Sequence, residues 1–203
     1  MRLIGMLDSP YVRRVAVSLK LMKLPFELEQ LSVFRNYPQF EAINPVVKAP
    51  TLVTDDGAVL MDSTLILDHA ERLADPALSL MPPNGRARDD ALRVIGLALA
   101  ASEKTVQIIY ERNLRPEEKW HQPWLDRVRG QLLQAFGVLE REMAQQAAWF
   151  GGSRMMQPDV TMAVGWRFAR SVIPEIVTEA EFPRLAAHSG RAETLPAFVE
   201  TGF

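Results

Sequence analysis

The order of apolar and polar positions changes character once along the chain. Residues 3–7 are a short apolar run without a helical start signal, which predicts a buried strand broken off at Asp8. Ser9-Pro10 then supplies a helix N-cap and a proline at the first helical position. Val12, Val15, Ala16, Leu19 and Met22 recur at three- and four-residue steps, so an amphipathic helix runs until Pro25, with Arg13, Arg14, Lys20 and Lys23 read as its solvated face. Residues 26–31 roughly alternate and predict a second strand, completing a βαβ unit.

A short helix is expected over 37–43, ending at Asn44-Pro45. Apolar triplets at 51–53 and 59–61 flank Asp55-Asp56-Gly57, a turn signal that predicts an antiparallel hairpin. A third helix over 63–74 leads to Asp75-Pro76, and residues 76–85, with Pro76, Pro82, Pro83, Asn84 and Gly85, read as an interdomain linker. Beyond it only helical periods occur, over 86–113 and 123–148 and in shorter stretches near 158–173, 183–189 and 195–200. The expected architecture is therefore α/β plus all-α: a β-α-β-α-β-β-α domain over 1–75, the linker, and an all-helical domain over 86–203.

Composition narrows the function classes. A chain of 203 residues buries roughly 70% of its unfolded surface, enough for two small domains. Its 23 Lys and Arg against 25 Asp and Glu leave a net charge of −2, so no overall field favours nucleic acid or an anionic membrane as a partner. There is no cysteine, which excludes disulfides, cysteine nucleophiles and thiolate metal sites, so any thiol chemistry must arrive with a ligand. The apolar run over 94–101 is far below membrane-spanning length and the N-terminal one is too short for a signal-peptide core, so the chain reads as cytosolic. His69, His121 and His188 show no ligand spacing with one another or with carboxylates, and neither a metal site nor a catalytic dyad is inferred.

Three constellations can carry chemistry, and each also has a purely structural reading. Ser9 caps a helix; its hydroxyl, beside the positive end of the helix dipole, can also donate to a bound thiolate. A hydrogen bond to a charged group contributes roughly 1.5–3 kcal/mol, and one pKa unit is about 1.4 kcal/mol, so one serine can lower a ligand thiol by about one to two units. Ala49-Pro50 stands before an apolar strand, where a trans bond is the common case; a cis bond would turn the Ala49 backbone outward to pair with an extended ligand. Asp62-Ser63 caps the third helix, and the same groups can hold an α-amino acid end, the helix N–H groups and Ser63 taking the carboxylate and Asp62 the ammonium.

Taken together, in this order and this frame, the three resemble the N-terminal thioredoxin-like domain of the cytosolic glutathione transferases, specifically bacterial members with a serine-type active site. Asn44-Pro45-Val46-Val47-Lys48-Ala49-Pro50-Thr51-Leu52 looks like the family's N-P-x-G-K-V-P-x-L signature, and Asp62-Ser63 matches its acidic-Ser pair. The resemblance covers nearly the whole chain, because the family also has a helical second domain. It implies a cis Pro50, an Ala49 backbone paired with the cysteinyl part of glutathione, Asp62 and Ser63 on the γ-glutamyl end, and Ser9 as the catalytic group stabilising the thiolate. It further implies a homodimer, a detoxifying transferase reaction on a small hydrophobic electrophile, glutathione as co-substrate and no metal.

The departures from the pattern are Val47 for the usual glycine, Ala49 for the usual valine, Asp62 for the commoner glutamate, and Met156 where a Ser or Thr N-cap precedes the motif residue Asp159. Lys48 reaches the glycyl carboxylate in this reading, and Phe34, Arg35 and Asn36 lie in a loop that contacts glutathione in the family. Glu103 is a residue that would approach a partner subunit's ligand, and Tyr11, Tyr110 and Trp166 are candidates for an acceptor site or for aromatic core packing. Two alternatives share the fold: a non-catalytic protein-binding module, and a glutathione-dependent isomerase or dehalogenase.

Overall fold

The computed structural model describes residues 1–145 and 148–203. The chain divides into two compact units, Met1–Met81 with Thr194–Phe203, and Pro82–Glu193. In the first, β1 (Arg2–Ile4), α1 (Pro10–Leu21) and β2 (Glu27–Glu29) form the βαβ element. α2 (Tyr37–Ile43), the hairpin β3 (Thr51–Val53) and β4 (Val59–Met61), and α3 (Ser63–Leu73) follow. The sheet order is β2-β1-β3-β4, with β1 parallel to β2 and antiparallel to β3, and β3 antiparallel to β4. Leu3 and Leu52 are register partners, both fully buried, and they meet Val12, Val15, Ala16 and Leu19 of α1 and Ile66 and Ala70 of α3 in one core. This is a thioredoxin-like arrangement, and it sets the N-termini of α1 and α3 at strand ends.

Two details correct the expectation for α1. Arg13 and Arg14, read as part of a solvated face, are 1% and 2% exposed. The far side of α1 is covered as well as the near side: α3 packs there, and so does α8 (Pro196–Val199) from the end of the chain. Residues 194–203, expected in the helical domain, are therefore part of the first unit. Each guanidinium is buried because it finds acceptors: Arg13 donates to the carbonyls of Thr201 and Phe198, and Arg14 to the hydroxyls of Ser63 and Thr64. Lys23, the last basic residue of this stretch, is exposed. The start of the expected linker is also anchored, because Leu80 is buried in the first core and Glu71 accepts from the Leu80 N–H and the Ser79 hydroxyl.

The second unit is helical, built from α4 (Gly85–Leu114), α5 (Gln122–Glu142), α6 (Gln157–Val172) and α7 (Pro183–Glu193). The helix expected over 123–148 ends at Glu142, and positions 146 and 147 of that expectation lie outside the described residues. α4 packs on α5 and α6 around Ala98, Ala101, Ile108, Leu132, Phe136 and Met162. Gly165 lets α6 approach α4 closely, since a Cβ there would lie 2.9 Å from the Ser102 hydroxyl. Met156 precedes α6 without a side-chain cap, and Asp159 compensates from the third position by accepting the Met156 and Phe150 N–H groups at 2.8 and 3.0 Å. Among the described residues no helix is long and apolar enough to cross a membrane.

Candidate functional site

Four segments of the first unit meet around the N-termini of α1 and α3. Ser9 has an extended backbone (φ −74°, ψ 125°) and its hydroxyl accepts the Val12 N–H at 3.4 Å. That bond is long, and the hydroxyl proton donates to nothing among the described residues, so it is free to donate elsewhere. Behind Ser9 the chain passes through Gly5 at φ +140°, where a Cβ would lie 2.6 Å from a Val12 methyl and 3.1 Å from the Ala49 Cβ. Only glycine allows this approach, which seats the Ala49 loop directly against the start of α1.

The Ala49–Pro50 peptide bond is cis, and the N–H and C=O of Ala49 carry no hydrogen bond among the described residues. A polar clasp holds the loop in place: Asn44 Nδ2 donates to the Thr51 hydroxyl at 2.8 Å, that hydroxyl donates to the Lys48 carbonyl at 2.7 Å, and Asn44 Oδ1 accepts the Val46 N–H at 3.0 Å. Asn44 is 4% exposed, so the clasp is shielded from water. Within it Val47 takes φ +51°, a left-handed conformation that explains why glycine suits this position and a β-branched residue is strained there.

At α3, Asp62 is the N-cap and accepts the Thr64 N–H at 2.9 Å. Its φ of +69° is unusual for a residue with a side chain, and such outliers cost about 1–3 kcal/mol, persisting where the surroundings over-determine them. Lys48 Nζ stands 4.0 Å from the Asp62 carboxylate, both half exposed, so the cation and the anion are already paired across the loop. Ser63 is 3% exposed and accepts from Arg14 at 3.0 Å, which leaves its own proton to donate to another acceptor.

Arg14 is the site residue that pattern reading missed. Its Nη1 binds Ser63 and, at 3.2 Å, Thr64, while its buried Nε has no hydrogen-bond partner among the described residues. Burial pushes the guanidinium down to about 10, with Asp62 and Tyr11 acting the other way, so at neutral pH it remains a cation behind the N-terminus of α3. The helix dipole, the Ser63 hydroxyl and this charge together make a corner that can hold an anion, and the Asp62 carboxylate at its rim can accept from an ammonium. The sequence did carry a signal. It is only the apolar Val17, which falls between the two arginines on the helical wheel, and it does not by itself say what covers that face.

The remaining candidates fall elsewhere. Ser32 holds the 32–36 turn by accepting the Phe34 and Arg35 N–H groups and donating its own N–H to Asn36 Oδ1, and Phe34 is 58% exposed. Tyr11 is half-buried on α1. In the second unit Tyr110 is exposed on α4 and Glu103 pairs there with Lys104, whereas Trp166 is 4% exposed and packs edge-on against Phe136 and Phe182 as a core residue. His188, which has no sequence-local partner, is brought to Asp159 across α6 and α7, its Nε2 lying 3.2 Å from the Asp159 carbonyl. No group of three or more His, Cys, Asp or Glu that could hold a metal ion occurs among the described residues.

Comparison with known proteins agrees with this geometry. Residues 3–78 match the family described as "Glutathione S-transferase, N-terminal domain", and residues 122–191 match "Glutathione S-transferase, C-terminal domain". A glutathione S-transferase of Methylobacterium radiotolerans, solved in complex with glutathione sulfonate, is 29% identical with a TM-score of 0.90, over 98% of this chain and 93% of that one. Glutathione S-transferase U28 of Arabidopsis thaliana is 23% identical over 93% of this chain and 85% of its own length. Maleylacetoacetate isomerase of Pseudomonas aeruginosa is 26% identical over 94% and 89%.

Proposed function

This chain belongs to the glutathione S-transferase family, and on that premise we propose that it binds glutathione on its first unit and activates the thiol for attack on a small hydrophobic electrophile. The observation that carries the reading is the anion-binding corner at α3, where Ser63 is backed by the buried Arg14 and flanked by Asp62. The γ-glutamyl carboxylate docks on Ser63 and the helix N–H groups, and its ammonium takes Asp62 in place of Lys48, which turns to the glycyl carboxylate. The cysteinyl backbone pairs with the free N–H and C=O of Ala49. The Ser9 hydroxyl donates a hydrogen bond to the sulfur, lowering the thiol by about one to two units from roughly 8.5, so that the S–H proton is released to solvent and thiolate is available at neutral pH. The sulfur lone pair then forms the bond to the electrophilic carbon, and the leaving group departs with the displaced electron pair. The M. radiotolerans neighbour, which carries a glutathione derivative and matches nearly the whole chain, supports the same use of this unit.

The working protein is a cytoplasmic homodimer in this reading, with glutathione and an electrophile as its small-molecule partners. Calorimetry with glutathione, followed by thiol addition to an aryl halide for wild type and Ser9→Ala, tests it. Binding is expected, with a rate loss of about tenfold or more in the variant, as loss of a charge-assisted hydrogen bond implies. Binding without a Ser9-dependent rate overturns the catalytic role, and absence of binding overturns the site. A cis-alkene in the same electrophile panel reads geometric isomerisation, the reaction class of the isomerase alternative.

A further inference from the structure

The end of the chain returns to the first unit, and a single buried arginine receives it there. Arg13 Nε donates to the Thr201 carbonyl at 3.0 Å and an Nη donates to the Phe198 carbonyl at 3.2 Å. The Phe198 carbonyl belongs to the last turn of α8, where it also accepts from the Thr201 N–H and hydroxyl at 3.3 Å, and the Thr201 carbonyl lies just beyond the helix. The guanidinium also lies 5.7 Å and 5.1 Å from the ring centres of Phe198 and Phe203. Nearby, Lys20 and Glu200 form a second, more exposed tie between α1 and the same segment.

We infer that residues 194–203 are a positioning element for the thiol-activating end of α1, acting through Arg13, so that the glutathione-binding unit is discontinuous in sequence. The inference rests on the function proposed above. Its physical basis is that Arg13 is held at both ends. Its side chain is anchored on the C-terminal segment, while its backbone N–H donates to the Ser9 carbonyl at 2.9 Å, the first hydrogen bond within α1. At 1% exposure the guanidinium has no water to fall back on. If the segment leaves, the Arg13 side chain loses both its acceptors and the rings that fix its direction, and the first turn of α1, closed by the Arg13 N–H on the Ser9 carbonyl, loses that anchor. That turn carries Ser9. A merely stabilising tail would change how long the fold survives heating, whereas this arrangement changes where the Ser9 hydroxyl points in the folded protein.

The test uses the full chain, Arg13→Gln, and a chain ending at Glu193, each with glutathione as the probe. The quantity read is the apparent pKa of the bound thiol, from thiolate absorbance against pH, at a temperature where each protein is folded. Wild type is expected to bind the thiol below its free value, and Arg13→Gln to raise it by about one unit with a parallel loss in the rate of addition to an aryl halide. The shortened chain is expected to behave likewise and to recover, saturably, when a synthetic peptide of residues 194–203 is added. A lowered melting temperature with an unchanged bound-thiol pKa in Arg13→Gln overturns the inference alone. If Arg13→Gln does not fold, the peptide titration decides, and no recovery of thiol pKa or rate overturns it. A wild type that binds glutathione without lowering its thiol overturns the proposed catalysis together with this inference.

Discussion

The Arg14 guanidinium donates to the Ser63 hydroxyl at 3.0 Å from a position that water does not reach. Because Ser63 accepts from Arg14, its own proton is left to donate, and a buried cation behind a hydroxyl donor suits an anion better than a neutral group. Arg14→Gln keeps a short polar side chain but removes the charge. Leaving a buried hydroxyl poorly matched costs about 1–3 kcal/mol, so KM for glutathione is expected to rise about ten- to a hundredfold with kcat changed far less. Steady-state kinetics with glutathione as the varied substrate checks this, and an unaltered KM would remove Arg14 from the binding machinery.

Val47 offers a test of backbone strain with an opposite sign. Its φ of +51° places a β-branched residue in left-handed space, at a cost of about 1–2 kcal/mol that glycine does not bear. Glycine also frees the unfolded chain, which returns about 0.4–1 kcal/mol to the unfolded state. The expected net effect of Val47→Gly is stabilisation by about 0.5–1 kcal/mol, read from the midpoint of urea unfolding. A clear loss of stability would show that packing of the isopropyl group outweighs the strain.

Elements whose signal is local were legible in the sequence. The helix at Tyr37–Ile43 and the strands Thr51–Val53 and Val59–Met61 were expected at those residues, because Asn44-Pro45 and Asp55-Asp56-Gly57 punctuate them by turn chemistry alone. The caps Ser9 and Asp62 were legible for the same reason. Arg13 and Arg14 were not, because a helical wheel assumes one covered face and α1 is covered on both. What covers the second face comes from α3, some fifty residues on, and from the end of the chain. His188 and Asp159 escaped likewise, since two helices bring together residues without any spacing that pattern reading could use.

Helix α7 shows a cap supplied from a distance. Its first residue, Pro183, has no N–H, and the next two N–H groups, of Arg184 and Leu185, both donate to the Glu140 carboxylate of α5 at 2.9 Å. The Arg184 side chain adds a longer contact at 3.4 Å. Glu140→Ala leaves two helix N–H groups without an acceptor in a partly buried place, and a loss of about 2–4 kcal/mol is expected. Glu140→Gln retains one acceptor oxygen and should lose about half as much. Urea unfolding gives the energies, and hydrogen exchange at Arg184 and Leu185 shows whether the loss is localised there.

His188 and Asp159 are both buried and respond to acid in opposite senses. Burial lowers His188 from 6.5 to about 4, with the Asp159 carbonyl opposing and Arg191 adding to the shift, so the pair is not an ion pair at neutral pH. As pH falls from 6.5 towards 4, the unfolded chain takes up a proton that the folded chain refuses, and stability falls by up to about 3 kcal/mol. Burial raises Asp159 from 3.8 to about 6, against the lowering effect of the Met156 and Phe150 N–H groups and of Arg191. Between 6 and 3.8 the folded chain holds a proton that the unfolded chain has released, so acidification stabilises it by a similar amount. The two effects offset each other in wild type. In His188→Leu only the carboxyl remains, and stability relative to wild type is expected to rise by about 2–3 kcal/mol from pH 6.5 to 4. In Asp159→Asn the relative change is expected to run the other way. Urea midpoints across this range test both, because all other titrating groups are common to the three proteins and cancel in the differences.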